Sequence, residues 1–256
     1  MSKSTLNILK IGGKVVEDEA ILDRVLNDFT QLGGYKILVH GGGKRASALS
    51  EKLGIPAQMI DGRRVTDAHT LEIVTMVYAG LYNKRVVARL QAKDCNAIGL
   101  SGADGNLILA HKRRGWKHDY GFAGDIDAVN TQSLIQLLEA GFTPVLCAIT
   151  HDKKGQLLNT NADTIAAQTA QALASKHEVA LHLCLDLPGV MRDPNDLTSI
   201  IASITKREYD NYKKQGIISG GMIPKLDNAF TALSKGVKQV RICGPASIRQ
   251  GGTLLQ

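Results

Sequence analysis

Two short apolar runs near the start of the chain each stop at a cluster of glycines, and no other feature constrains the fold as much. Leu6-Asn7-Ile8-Leu9-Lys10-Ile11 ends on Gly12-Gly13, and Lys36-Ile37-Leu38-Val39-His40 ends on Gly41-Gly42-Gly43. An apolar run of that length closed by glycine reads as a buried strand, and helix-forming sequence follows each one. Strands that hand over to helices build parallel sheets, which bind their ligands at the carboxyl ends of the strands. Both glycine clusters fall at such ends.

Lysines accompany the glycines. Lys10 sits just before the first cluster and Lys44 just after the second, and a third cluster near the other end reads Gly220-Gly221-Met222-Ile223-Pro224-Lys225. Glycine lets backbone N–H groups approach an oxyanion closely and lysine adds a full charge, so the three clusters predict a phosphate cradle drawn from distant parts of the chain. Taken singly, each cluster reads as a turn beside a surface lysine. Their shared placement favours the cradle.

Strand and helix signals alternate through the rest, which gives an α/β fold with a mostly parallel sheet and helices on both faces. Residues 18–30 carry Ile21, Leu22, Val25, Leu26 and Phe29 at helical spacing, and a second helix is expected over 44–53. Two short strands over 57–65 turn at Asp61-Gly62, and a long helix capped by Thr66 or Asp67 runs to about Lys93. A strand over 96–100 ends in a tight turn, with irregular hairpins expected as far as Ile126. Further elements are a helix over 131–140, a strand over 143–148, an Ala-rich helix capped by Asn161 and a strand over 178–185. Two more helices and strands over 239–243 and 253–255 close the chain. The one soft boundary lies at Ser175-Lys176-His177, and the halves are not expected to fold independently.

Composition excludes several classes. Hydrophobic residues make up 44% and charged residues 21% of the 256, which is ordinary globular usage and argues against disorder. Cys95, Cys147, Cys184 and Cys243 are far apart, with no C-x-x-C pair and no zinc-finger histidine spacing, so they read as reduced core residues. No apolar leader follows Met1-Ser2-Lys3-Ser4-Thr5 and no stretch approaches a membrane span, so a cytoplasmic protein with no membrane partner is expected. The net charge of +7 admits nucleic acid or phosphorylated small molecules. The dense basic run is His111-Lys112-Arg113-Arg114-Gly115-Trp116-Lys117-His118. It reads as a solvated loop, because no nucleic-acid module accompanies it.

The phosphate chemistry narrows next. Gly43-Lys44 is followed by Arg45, so the P-loop pattern is absent. Gly41-Gly42-Gly43-Lys44-Arg45-Ala46 with Asp61 about twenty residues on fits a degenerate dinucleotide-binding fingerprint, which keeps a Rossmann-type oxidoreductase as an alternative. Against it, Asp61 falls in a turn and the Lys10 and Lys225 clusters are left unexplained.

Five strings in register carry a family resemblance. They are Leu9-Lys10-Ile11-Gly12-Gly13, Val39-His40-Gly41-Gly42-Gly43, Gly62-Arg63-Arg64-Val65-Thr66, Asn159-Thr160-Asn161-Ala162-Asp163 and Gly221-Met222-Ile223-Pro224-Lys225. In that order, over essentially the whole chain, they resemble the amino acid kinase family, and within it the kinases of N-acylated glutamate. The resemblance implies a three-layer αβα sandwich in two lobes. The first, about residues 1–175, would bind the acylglutamate and dimerise; the second, about 176–256, would bind ATP with Mg2+. The reaction implied is transfer of the γ-phosphoryl of ATP to the side-chain carboxylate, giving an acyl phosphate for arginine biosynthesis.

The resemblance also implies roles. Lys10 and Lys225 would contact the phosphoryl group, with N–H groups of Gly12, Gly13, Gly42 and Gly43 on its oxygens and Asp163 holding the lysines. Arg64 and Asn159, with Gly42 and Gly43, would bind the acylglutamate; Asp186, Gly221 and Lys225 would bind the nucleotide. No side chain is assigned to the metal. The stretch Leu183-Cys184-Leu185-Asp186 lacks the Thr or Ser that usually precedes this Asp. The chemistry of the reaction agrees with these residues: a carboxylate nucleophile is ionised at neutral pH and needs no general base, only screening of the negative charges brought together.

For the acyl group, acetyl is the default and succinyl stays open, with the pocket expected from the hairpin over 57–64 and the loop near Phe122. Kinases of free glutamate or N-acetylaminoadipate are close alternatives. A non-catalytic sensor would have no use for both lysines and Asp163. Arginine-inhibited members carry an extra N-terminal helix, whereas nine residues precede Lys10 here. A homodimer built through the long helix, without arginine inhibition, is expected.

Overall fold

A strand apolar on both faces has to lie inside a sheet covered on both sides. The computed structural model describes residues 3–60, 63–114, 118–193 and 195–256, and it puts the first apolar run in such a place. β1 (Thr5–Ile11) leads through α1 (Gly13–Glu17) and α2 (Glu19–Thr30) to β2 (Tyr35–His40), and α3 (Gly43–Lys52) follows. The hairpin of β3 (Met59–Ile60) and β4 (Arg63–Arg64) precedes α4 (Ala68–Thr75), a π-helical stretch Met76–Tyr82 and α5 (Asn83–Gln91). Next come β5 (Ala97–Leu100), β6 (Ile108–Lys112), β7 (Gly124–Val129), α6 (Thr131–Glu139) and β8 (Thr143–Cys147). β9 (Ile149–His151), β10 (Leu157–Asn159), α7 (Ala162–Leu173) and β11 (Glu178–Cys184) follow. β12 (Ser203–Ile204), α8 (Lys206–Lys214), α9 (Met222–Ser234), β13 (Gln239–Cys243) and β14 (Thr253–Leu255) complete the order.

Eight strands form the main sheet in the order β12-β14-β13-β11-β1-β2-β8-β5, parallel throughout except for β13 against β14. β1 is central, and its register pairs Ile11 with His40 on one side and Cys184 on the other. Three strands therefore end level, and both glycine clusters leave the same edge of the sheet. α7 packs on β1, β2 and β11 with α9 beside it, while α5 packs on β5 and β8 with α2 against it, which makes the αβα layers. A second sheet, β10-β9-β6-β7, stands next to α7.

The helix expected from Thr66-Asp67 is present, with three refinements. Asp67 is the cap, its carboxylate accepting from Thr70 N at 2.7 Å, and Thr66 is buried with its hydroxyl donated to Arg64 O. The helix passes through a π-helical stretch that no composition rule announces. That stretch sets Tyr78 and Tyr82 so close to Gly42 that a Cβ there would meet their rings at 2.9 and 2.7 Å. Strands β9, β10 and β12 were not expected; each is only two or three residues long, too short to show a period. The turn Asp61-Gly62 lies outside the described residues. All four cysteines are buried and free. Among the described residues no helix is long and apolar enough to cross a membrane.

Candidate active site

Lys10 is the next-to-last residue of the central strand, so its side chain emerges at the carboxyl edge of the sheet. Asp163 lies in the first turn of α7, whose N-cap Asn161 accepts from Thr164 N at 3.1 Å. Lys225 lies in the first turn of α9, after the N-cap Gly221. The three converge: Lys10 Nζ is 2.7 Å from Asp163 Oδ1, and Lys225 Nζ is 2.7 Å from Asp163 Oδ2. Burial alone would push the Asp163 carboxyl up, but the attraction of Lys10 and Lys225 outweighs it and holds the pKa at about 2. The trio carries one net positive charge, with Lys10 and Asp163 largely buried and Lys225 30% exposed.

A cavity of about 240 Å³ opens beside it, lined by Lys10, Asp163 and the glycines Gly12, Gly13, Gly41, Gly42 and Gly43. A Cβ on Gly13 would lie 3.8 Å from Gly43 N and 4.0 Å from Lys44 N, and one on Gly12 would lie 3.9 Å from Lys10 Nζ. No protein atom forbids a side chain at either position. The space is left open among donors, which is the shape an oxyanion requires. His40 shapes the second loop from beneath: Nδ1 donates to Gly41 O at 2.9 Å and Nε2 accepts from Asn83 Nδ2 at 3.2 Å. Complete burial pushes its pKa down to about 4, so this bracing imidazole stays neutral.

Across the cavity, Arg64 Nη2 donates to Gly43 O at 2.8 Å and to Ser47 Oγ at 2.7 Å, fixing the guanidinium. Its Nη1 is buried with no hydrogen-bond partner among the described residues. A buried cationic donor without a partner is costly, and a ligand carboxylate would satisfy it. Asn159 donates through Nδ2 to Thr66 Oγ1 at 3.0 Å. Because the Thr66 proton goes to Arg64 O, Thr66 has to accept here, which fixes the amide and leaves Asn159 Oδ1 for a ligand.

The remaining expected residues lie elsewhere. Asp186 follows β11 and pairs with Lys14 Nζ at 2.7 Å, both of them half exposed. Neither Asp186 nor Gly221 lines the cavity, and Lys225 reaches it only through Asp163. From the hairpin expected to form the acyl pocket, Met59, Arg63 and Arg64 line the cavity, as do Ala123 and Gly124 after Phe122, while Phe122 itself does not.

The basic run corrects the sequence reading. His111 and Lys112 end strand β6, and Arg113 is not solvated: its side chain is 9% exposed, lines the cavity and pairs with Asp125. A strand partner on β7 draws it inward, and nothing local in the sequence indicates that partner. Gly115, Trp116 and Lys117 lie outside the described residues. Tyr78 and Arg63 likewise line the cavity and were given no role, because only the packing of the long helix and the second sheet around the glycine loops brings them in; Thr66 does not line it and acts through Asn159.

Comparison with known proteins gives a consistent result. A profile described as the amino acid kinase family matches residues 5–244. An acetylglutamate kinase of Phocaeicola vulgatus is 52% identical over 255 residues, covering 99% of each chain. One from Parabacteroides distasonis is 52% identical over 246 residues, covering 96% of each. Among solved structures, smu.665 from Streptococcus mutans superposes with a TM-score of 0.81 at 27% identity, covering 98% of each chain.

Proposed function

The chain belongs to the amino acid kinase family, and from that premise we propose that it transfers the γ-phosphoryl of ATP to the side-chain carboxylate of an N-acylated glutamate, N-acetyl-L-glutamate by the name of its relatives, in arginine biosynthesis. The observation that carries this reading is the Lys10–Asp163–Lys225 bridge in the wall of a cavity also lined by Arg64, whose Nη1 has no hydrogen-bond partner among the described residues.

The acceptor carboxylate arrives ionised, so the protein has no proton to remove. Its task is to bring three negative groups together and to stabilise the charge spread over the transferring oxygens. Lys10 and Lys225, oriented by one carboxylate, lie on the phosphoryl group, and N–H groups of Gly12, Gly13, Gly42 and Gly43 receive its oxygens. Arg64 Nη1 takes the α-carboxylate and Asn159 Oδ1 accepts from the acyl amide N–H. Asp186 and Gly221 flank the nucleotide.

Both oxygens of Asp163 are engaged by lysines, and among the described residues no group of three or more His, Cys, Asp or Glu is placed to hold a metal. Mg2+ would therefore enter on the phosphates of ATP, where it neutralises charge on the leaving group. Residues 1–175 form the acylglutamate side and 176–256 the nucleotide side. A homodimer is supported by Met76 and Leu81, two large apolar side chains exposed on the long helix.

Coupled assay of ADP release across N-acetylglutamate, N-succinylglutamate, glutamate and N-acetylaminoadipate tests the reading. Turnover confined to acylated glutamates is expected. Turnover on free glutamate alone, or on none of the four, would overturn it.

A further inference from the structure

The cavity holds more positive charge than this reading uses. Arg64 answers one carboxylate, and the two lysines answer the reacting carboxylate and the phosphoryl group, yet Arg63 and Arg113 line the same space. They arrive from different sheets, Arg63 on β4 and Arg113 just beyond β6. Asp125 on β7 fixes the Arg113 guanidinium, accepting from Nε at 3.1 and 3.0 Å and also from Nη2. Tying the β6–β7 hairpin together does not demand a buried arginine, since the His111–Asp127 pair does the same in solvent at 2.6 Å. Arg113 is instead drawn into the cavity wall.

Arg63 feels its neighbour. Partial burial lowers its pKa first and the charge of Arg113 lowers it further, with Asp125 opposing. Two guanidiniums held close in a partly dehydrated space repel, and an anion between them relieves the repulsion. The α-carboxylate, the reacting carboxylate and the phosphates already have partners. An acetyl group offers these arginines a carbonyl acceptor but no negative charge to offset their repulsion.

We propose that the preferred substrate carries a third carboxylate at the end of its N-acyl group, a dicarboxylic acyl such as succinyl, received by Arg63 and Arg113. This inference rests on the carboxylate-kinase reading and names the substrate class of that same site. Arg63 and Arg113 touch neither the reacting carboxylate nor ATP in this account, so they set specificity.

The test compares kcat/KM for N-succinyl-L-glutamate and N-acetyl-L-glutamate in the wild type, Arg63→Leu and Arg63→Lys, with Arg113→Lys as a variant that keeps a charge opposite Asp125. The wild type is expected to favour the succinyl compound by about tenfold or more, the factor that one charge-assisted contact supplies. Arg63→Leu should cut that ratio at least tenfold, mainly by raising the succinyl KM, and Arg63→Lys should restore part of it. A wild type that prefers the acetyl compound would overturn the inference and leave the kinase reading intact. Equal losses on both substrates in Arg63→Leu would overturn it too, since Arg63 would then serve a group common to both. Phosphorylation of neither compound by the wild type would overturn both readings together.

Discussion

Asp163 holds two lysines with one carboxylate, and that economy sets the consequences of single substitutions. Replacing Lys10 or Lys225 by Ala removes a preorganised charge whose use is greatest in the transition state, so kcat should fall about 10² to 10³-fold while the acylglutamate KM moves little. Steady-state kinetics separates the two, and a loss confined to KM would remove the lysine from the chemistry. Gly13→Ala is a different probe. No protein atom crowds the new Cβ, so thermal stability should hold while phosphoryl transfer falls, because the methyl group occupies the space between Gly13 and the Gly43 and Lys44 amides. The acid limb of stability follows from the same kind of accounting. His40 and His182 are buried with pKa values near 4, below the ordinary 6.5, so the folded state binds fewer protons than the unfolded one between those values. Stability is fully present above about pH 6.5 and declines as pH falls towards 4, by up to roughly 3 kcal/mol for each imidazole. Asp163, held near 2, adds its own loss only below about pH 4. Denaturant titrations at pH 7, 5.5 and 4.5 check the order, and a flat profile over that range would contradict it. Residues that chemistry alone singles out, the lysines and glycines at strand ends, were legible in the sequence. Arg113 and Thr66 were not, because their roles depend on partners, Asp125 and Asn159, that only the sheet topology supplies.

At the scale of elements, the π-helical stretch ties the long helix to the glycine loop. Tyr78 and Tyr82 reach Gly42 because the stretch re-aims them, and the space between the rings and the loop has no room for a methyl group. Gly42→Ala should therefore destabilise the fold by about 1 to 3 kcal/mol as well as weaken phosphate binding, in contrast to Gly13→Ala. Calorimetry of the two variants side by side checks this, and equal melting temperatures would show that the tyrosines yield. The cap candidates located the start of the long helix, where Asp67 does accept from Thr70 N. The i→i+5 bonding inside it leaves no mark in composition. The short strands β9, β10 and β12 escaped for another reason: two or three residues cannot display alternation, and their pairing partners lie elsewhere in the chain.

For the whole molecule, the central position of β1 is what makes the site possible. With β11 and β2 on either side in parallel register, residues from both ends of the chain meet at one sheet edge, and Lys10 and Lys225 come to share Asp163. The alternation of strand and helix announced a parallel sheet, but the strand order came only with the structure, since the crossovers that place β11 beside β1 join segments 173 residues apart, as Thr5 against Glu178. Assembly belongs to this scale as well. If exposed Met76 and Leu81 bury against a second copy, light scattering should report a dimer, and Met76→Glu with Leu81→Glu should yield a folded monomer. A monomeric wild type would contradict that assignment without touching the catalytic one. The most direct test of the catalytic account traps its product. Incubated with ATP, N-acylglutamate and hydroxylamine, the wild-type protein should form the side-chain hydroxamate in proportion to ADP released, and Lys10→Ala and Lys225→Ala should lower both yields together. ADP release without hydroxamate, or hydroxamate formation indifferent to both lysines, would contradict it.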